Sequence, residues 1–321
     1  MTRYLKYMVL AFALIVVSGF YSCDPDNNAS SNYIYGLTQK RDSYSSLLES
    51  DSIIRFSLTT GEYTALAATN HYPGMKYPRY ITHARKLNRI VYEMDWDKLG
   101  IIHLDDLSFD SIDLNIDSTF AGMRAIVVNE KNNSLIVIAG NYNVENHGKS
   151  LDIFEVSLTT KSKTLLTNIG DYSYTKSIFT DIDELNHRVF IVPQKSPTMV
   201  KKLYQYDYKK NSLSSQPIDV EFDDVHYSSD KNSLLGTSII NQSTGLVSYH
   251  IPEQKTDTIG IFEGVSMYFT NMYYFDKKNN TYWLGAITSD NLYNLDLINV
   301  DLSDAGFSKR LAAHNAFKII N

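Results

Sequence analysis

Hydrophobic positions along the chain fall into two regimes. Residues 8–17 form one unbroken apolar run just behind the positive charges of Arg3 and Lys6. From residue 32 onward the apolar residues come in short alternating runs, separated by clusters of Asn, Asp, Lys, Ser and Gly. Alternation of that kind places side chains on the two faces of a strand, and no stretch carries the longer period of an amphipathic helix. The body is therefore expected to be all-β.

The strands repeat. A polar turn containing Asn precedes an apolar strand five times: Arg85-Lys86-Leu87-Asn88 before Arg89-Ile90-Val91-Tyr92; Glu130-Lys131-Asn132-Asn133 before Leu135-Ile136-Val137-Ile138; Asp183-Glu184-Leu185-Asn186 before Val189-Phe190-Ile191-Val192; Asp230-Lys231-Asn232 before Leu234-Leu235; and Asp276-Lys277-Lys278-Asn279 before Tyr282-Trp283-Leu284. These asparagines recur about every 44 to 54 residues, the length of one four-stranded propeller blade. Asn and Asp accept left-handed turn conformations, so a chain this rich in turns manages with 15 glycines.

Third strands of blades can be counted six times, but the Asn turn only five. The first blade lacks its innermost strand, while the chain ends on an unpartnered one, Ala316-Phe317-Lys318-Ile319-Ile320. Closure of the ring removes exposed sheet edges. A Velcro seam is therefore expected, with blades over 32–70 plus 313–321, 71–119, 120–170, 171–221, 222–262 and 263–312. This body resembles the six-bladed β-propeller class of TolB-like and lactonase-like proteins, and more loosely the YncE-like propellers. The resemblance rests on repeat length and hydrophobic pattern and carries no diagnostic motif. A seven-bladed ring is the alternative if residues 39–50 hold a further strand pair.

The N-terminal run is too short to cross a membrane core, which takes about 20 apolar residues. It is followed by Ser18, Gly19, Phe20, Tyr21, Ser22 and Cys23, the layout of a secretory signal peptide over residues 1–22. Cys23 is the only cysteine, and Asp24-Pro25-Asp26-Asn27-Asn28 follows it. This resembles a bacterial lipoprotein signal of the looser Bacteroidota type, although Phe20 and Tyr21 stand where an aliphatic and a small residue are usual. The resemblance implies a lipidated Cys23, a polar tether over 23–31 and a propeller domain over 32–321. It also implies attachment to the outer membrane, facing outward, with the periplasmic face as the alternative. An ordinary secreted protein and an uncleaved anchor are the other readings of these residues.

Composition narrows the function. With 43% hydrophobic and 21% charged residues the chain is neither disordered nor fibrous. Thirty Lys and Arg against 36 Asp and Glu give a net charge of -6, so no global basic field attracts nucleic acid. One cysteine makes neither an internal disulfide nor a thiolate metal cage.

Propellers take ligands where the innermost strands begin around the channel. Aligning the repeats puts Arg79, Arg124, Lys176 and His226 at similar points, with His314 at the seam strand and Tyr268 and Thr270 in the remaining repeat. Facing the channel, they would form a cationic funnel for carboxylate, sulfate or phosphate groups. A slip of one residue would turn any of them away. The acidic groups Asp105-Asp106, Asp95-Trp96-Asp97 and Asp110, Asp113, Asp117 lack calcium-loop spacing, and the histidines lack zinc spacing. No metal site or cofactor is therefore expected, calcium having no motif behind it. Nucleophile-elbow and phosphate-loop motifs are also missing, and the catalytic residues, if any, are unknown. Among 24 tyrosines, Tyr72, Tyr77, Tyr80, Tyr142, Tyr172, Tyr174, Tyr227, Tyr268, Tyr273 and Tyr274 stand near the starts of blades, where aromatic faces suit a glycan. The expectation is a non-catalytic envelope lipoprotein that binds a ligand or protein partner, in nutrient capture or envelope assembly. The alternative is a hydrolase or lyase acting on a sugar, lactone or related anion in the channel.

Overall fold

A computed structural model describes residues 33–41, 48–76, 78–116, 122–143, 148–170, 178–193, 201–262, 265–266, 273–277, 279–288, 295–303, 306–313 and 317–320. Its strands form six antiparallel sheets, the blades of a β-propeller. Blade 2 is β4 (Ile81–Ala84), β5 (Arg89–Asp95), β6 (Lys98–His103) and β7 (Phe109–Asp113). Blade 3 is β8 (Gly122–Asn129), β9 (Ser134–Asn143), β10 (Gly148–Ser157) and β11 (Lys163–Ile169). Blade 4 is β12 (Ile178–Asp183), β13 (Arg188–Pro193), β14 (Lys202–Asp207) and β15 (Ser212–Pro217). Blade 5 is β16 (His226–Ser228), β17 (Ser233–Ile240), β18 (Ser243–His250) and β19 (Lys255–Phe262). In blade 6 the inner position is shared by β20 (Val265–Ser266) and β21 (Tyr273–Asp276), both paired with β22 (Thr281–Thr288), and β23 (Leu295–Asp301) and β24 (Gly306–Ala313) complete it.

Blade 1 carries the seam. Its order is β25 (Phe317–Ile320), β1 (Tyr33–Arg41), β2 (Leu48–Ser57) and β3 (Tyr63–Ala68), so the C-terminal strand is innermost, with Gly36 opposite Ile319. Residues 39–41 and 48–50 lengthen the β1–β2 hairpin and add no further strand pair, which leaves the ring at six blades among the described residues. No helix among them is long and apolar enough to cross a membrane.

The core lies between blades. Adjacent residues on the second strand of a blade point to opposite faces and serve two interfaces. Ile90 packs with Leu37 and Ile53 of blade 1, whereas Val91 packs with Leu135 and Val137 of blade 3. Ile136 and Ile138 meet Val189 and Ile191 of blade 4, and Phe190 meets Leu234 and Tyr249 of blade 5. Leu235 then joins Tyr282 and Leu284 of blade 6. Strands buried on both faces read as continuous apolar runs, and this is why the repeat is visible in the sequence.

Each turn from first to second strand contains one left-handed residue: Asn88, Asn133, His187, Asn232 and Asn280, with φ between 46° and 57°. In blades 4 and 6 this residue stands one position after the aligned asparagine. Asn186 and Asn279 instead donate their side-chain amides to Asp183 and Asp276, at 2.9 and 2.7 Å. Neighbouring blades are also tied through these turns. The Glu130 carboxylate accepts the backbone N–H groups of Arg85 and Lys86, and Arg89 Nη1 donates to the Leu158 carbonyl at 2.8 Å. Burial raises the Glu130 pKa above the ordinary carboxylate value.

Candidate functional site

The inner strands β4, β8, β12, β16 and β21 enclose a central cavity of about 980 Å³. That is the size of a site for a small ligand. Arg79, Arg124 and His226 all line it. Cys23, Lys176, Tyr268, Thr270 and His314 lie outside the described residues.

Arg124 reaches the cavity because β8 is irregular. Met123 pairs with Ala139 and Ala125 with Ile138, so Arg124 is the extra residue of a bulge. Bulges redirect side chains, and this one leaves Arg124 only 7% exposed. Gly140 on the neighbouring strand makes the room: a Cβ there would lie 3.1 Å from Arg124 Nε.

Arg79, just before β4, is held in place. Its Nε donates to Glu93 Oε2 at 2.9 Å and its Nη2 to Glu93 Oε1, and Glu93 is buried. The guanidinium lies 4.3 Å from the ring centre of Trp96, a half-exposed side chain in the β5–β6 turn. Opposite the Trp96 ring is Gly122, where a Cβ would come within 2.6 Å of it.

His226 opens β16 beside a buried carboxylate. Its Nε2 is 3.3 Å from Asp224 Oδ2 but makes no aligned hydrogen bond. Asp224 is fixed by three donors: Thr237 N–H at 2.7 Å and Thr237 Oγ1 at 2.8 Å, both to Oδ1, and the Tyr282 hydroxyl to Oδ2. Burial and the Asp224 charge hold the Tyr282 and Tyr273 hydroxyls well above the ordinary tyrosine pKa, so both remain donors. Asp223 next door is pushed up to about 6 by burial, then by the charges of Asp224 and Glu221.

Also on the cavity wall, Asp181 accepts the Tyr227 and Ile182 N–H groups and lies 3.3 Å from Lys277 Nζ. That contact runs from blade 6 to blade 4, across the channel. Arg85 makes a second crossing, 4.8 Å from the ring centre of Tyr274. Burial lowers the His83 pKa to about 3, so this ring lines the cavity neutral, edge-on to Tyr35 at 4.6 Å. The wall thus carries both signs of charge.

Sequence reasoning missed Glu93, Asp181, Asp224 and His83. A lone Asp inside an apolar strand, as in Phe179-Thr180-Asp181-Ile182, is the one signal that could have pointed to any of them. Of the ten tyrosines singled out, Tyr80, Tyr227, Tyr273 and Tyr274 line the cavity, but the last three are buried, Tyr227 and Tyr273 within the packing between blades. Tyr72 is buried against the blade 1–blade 2 core. Tyr77, Tyr172, Tyr174 and Tyr268 lie outside the described residues, as does the Tyr142 side chain. Several acidic residues cap turns: Asp95 accepts the Trp96 N–H, Asp106 that of Ser108 and Asp113 that of Asn115. Among the described residues no group of three His, Cys, Asp or Glu is placed to hold a metal.

One serine has a triad-like setting. Ser233 Oγ lies 2.9 Å from His250 Nδ1, and His250 Nε2 lies 3.2 Å from Asp257. Ser233 is buried, however, and its hydroxyl donates to the Lys231 carbonyl at 2.9 Å. It must then accept from His250, which leaves the histidine no lone pair with which to activate it.

No protein-family model matches the chain, and no curated protein does. Solved structures do. A putative TolB from Agrobacterium tumefaciens is 10% identical with a TM-score of 0.57, over 90% of this chain and 92% of that one. An oligogalacturonate lyase in complex with manganese is 10% identical with a TM-score of 0.55, over 86% and 78%. A putative 6-phosphogluconolactonase from Bacteroides fragilis is 9% identical with a TM-score of 0.52, over 92% and 99%. Likeness at this identity concerns the fold alone: the chain is a six-bladed β-propeller whose structural neighbours include TolB and lactonase-like propellers.

Proposed function

We propose that this is an outer-membrane lipoprotein, anchored through Cys23, whose propeller binds a small polar ligand bearing an anionic group in its central channel. The observation that carries this reading is Arg124, turned inward by a bulge and given room by a glycine. Buried guanidinium groups suit carboxylate and phosphate oxygens, and the carboxylates and imidazoles nearby suit hydroxyl groups. A sugar acid presents both kinds of group.

Thermal unfolding of the full chain with D-galacturonate, D-glucose, calcium and chelator tests it. A ligand at 100 times its dissociation constant stabilises by about 2.7 kcal/mol. The expected result is a shift with galacturonate that Arg124→Ala abolishes. Silence across the panel would overturn the channel reading and turn attention to a protein partner. Turnover of the same ligand is a second reading, favoured by His226 beside the fixed Asp224 carboxylate. It requires His226→Gln to abolish product formation while binding remains.

A further inference from the structure

The cluster around Asp224 holds more than a binding wall needs. We propose that Asp224 is a positioning residue that keeps the neutral His226 ring protonated on Nε2, so that Nδ1 offers the channel a proton acceptor selecting a ligand hydroxyl. This rests on the channel-binding reading and names the ligand group that His226 recognises.

The argument begins with the carboxylate. Its three donors come from two strands, Thr237 on β17 and Tyr282 on β22, and every one donates toward it. Asp224 therefore cannot rotate without breaking hydrogen bonds, and Oδ2 stays 3.3 Å from Nε2. A neutral imidazole has one N–H and one lone pair. A lone pair on Nε2 would face a carboxylate oxygen that carries no proton, which is repulsive, whereas an Nε2–H is attracted to it. The ring is further confined by Tyr282, edge-on at 5.6 Å, and by Phe275 at 6.3 Å. Nε2 is buried against Asp224 and the residue lines the cavity, so Nδ1 is the nitrogen left for a ligand. A hydroxyl donates to such a nitrogen. A carboxylate or phosphate oxygen does not, and is left to Arg124.

The variant Asp224→Asn gives an opposite result. Thr237 presents two donors to one oxygen position, so the amide oxygen settles there and the NH₂ takes the place of Oδ2. It then donates to Nε2, and the ring carries its proton on Nδ1. Tyr282→Phe also loosens the group but leaves both Thr237 donors and the sense of the contact unchanged.

The test is ring-nitrogen NMR on the full chain with ¹⁵N-labelled histidine, at a pH where His226 is neutral. The wild type and Tyr282→Phe are expected to show protonated Nε2 and bare Nδ1, with the assignment reversed in Asp224→Asn. As a second measurement, diethyl pyrocarbonate attacks a bare ring nitrogen that it can reach. Its reaction at His226 should slow at least about tenfold in Asp224→Asn and remain in Tyr282→Phe. A wild-type ring protonated on Nδ1, or an Asp224→Asn ring unchanged from wild type, overturns the proposal. If Asp224→Asn does not fold, the wild-type spectrum alone decides. Protection of His226 by D-galacturonate tests the channel reading separately: the expected tautomer without protection removes the ligand and leaves the positioning role standing.

Discussion

Asp223→Asn should make the protein more stable at neutral pH and leave it nearly unchanged in acid. Burial, then the charges of Asp224 and Glu221, push the native carboxyl up to about 6 from its ordinary 3.8. Its native pKa is raised, so between those values the native state binds more protons than the unfolded chain, and stability falls as pH rises through that window. That difference corresponds to about 3 kcal/mol at full strength. Solvent that reaches the half-buried group screens part of this, leaving about 1–2 kcal/mol at pH 7.5. Near pH 4 the wild-type carboxyl is protonated in the native state, and the difference shrinks to about a few tenths of a kcal/mol. Thermal unfolding of both chains at the two pH values measures it, with an expected gain of about 2–3 °C at pH 7.5. An equal gain at both pH values would refute the electrostatic origin, and a loss at pH 7.5 would show that the charged form makes favourable contacts.

Other positions give independent tests. Removal of residues 317–321 deletes the strand that closes blade 1 and should cost about 3–5 kcal/mol in urea unfolding, with a less cooperative transition; an unchanged midpoint would deny the seam any role in stability. Gly236→Ala places a Cβ 2.1 Å from the Asp224 carbonyl oxygen, a backbone clash that should cost about 3 kcal/mol in the same assay and shift the His226 ring resonances. Phe190→Ala empties a fully buried position stacked 4.5 Å from Tyr227 and should cost about 3–5 kcal/mol without moving the His226 resonances. If both variants disturb His226 equally, the blade 4–blade 5 core and the site are not separable.

The blades were legible because propeller physics leaves a mark on every repeat. Second strands buried on both faces became runs such as Leu135-Ile136-Val137-Ile138, and the turns before them needed left-handed residues. The seam followed from one unpaired strand at each end of the ring. The site was legible only as an alignment of cations. Arg124 faces the cavity through a bulge, which breaks the two-residue period that any sequence argument about facing relies on. Glu93, Asp224 and Tyr282 gave no local signal because their partners are distant in sequence: Tyr282 meets Asp224 across 58 residues. The tyrosines misled for a physical reason too. Tyr227 and Tyr273 fill the space between blades, where a large ring with a polar tip satisfies packing and hydrogen bonding together, and Tyr274 is buried beneath Arg85.

This division of labour accounts for polar groups sitting so close to the axis. Most of the blade-to-blade core comes from second and third strands, whose apolar faces interlock. The inner strands β4, β16 and β21 are only three or four residues long, and inner strands meet the cavity, so a polar residue there displaces little apolar packing. The buried carboxylates are still not isolated from the core. Asp224 is bound to Thr237 on β17, and the backbone before β16 lies so close to Gly236 that no side chain fits between them. The rigid second strand thereby fixes the carboxylate, and the carboxylate fixes His226. A channel group positioned in this way depends on the exact backbone approach at Gly236, so a single methyl group there should move the site even though it adds nothing to the cavity wall.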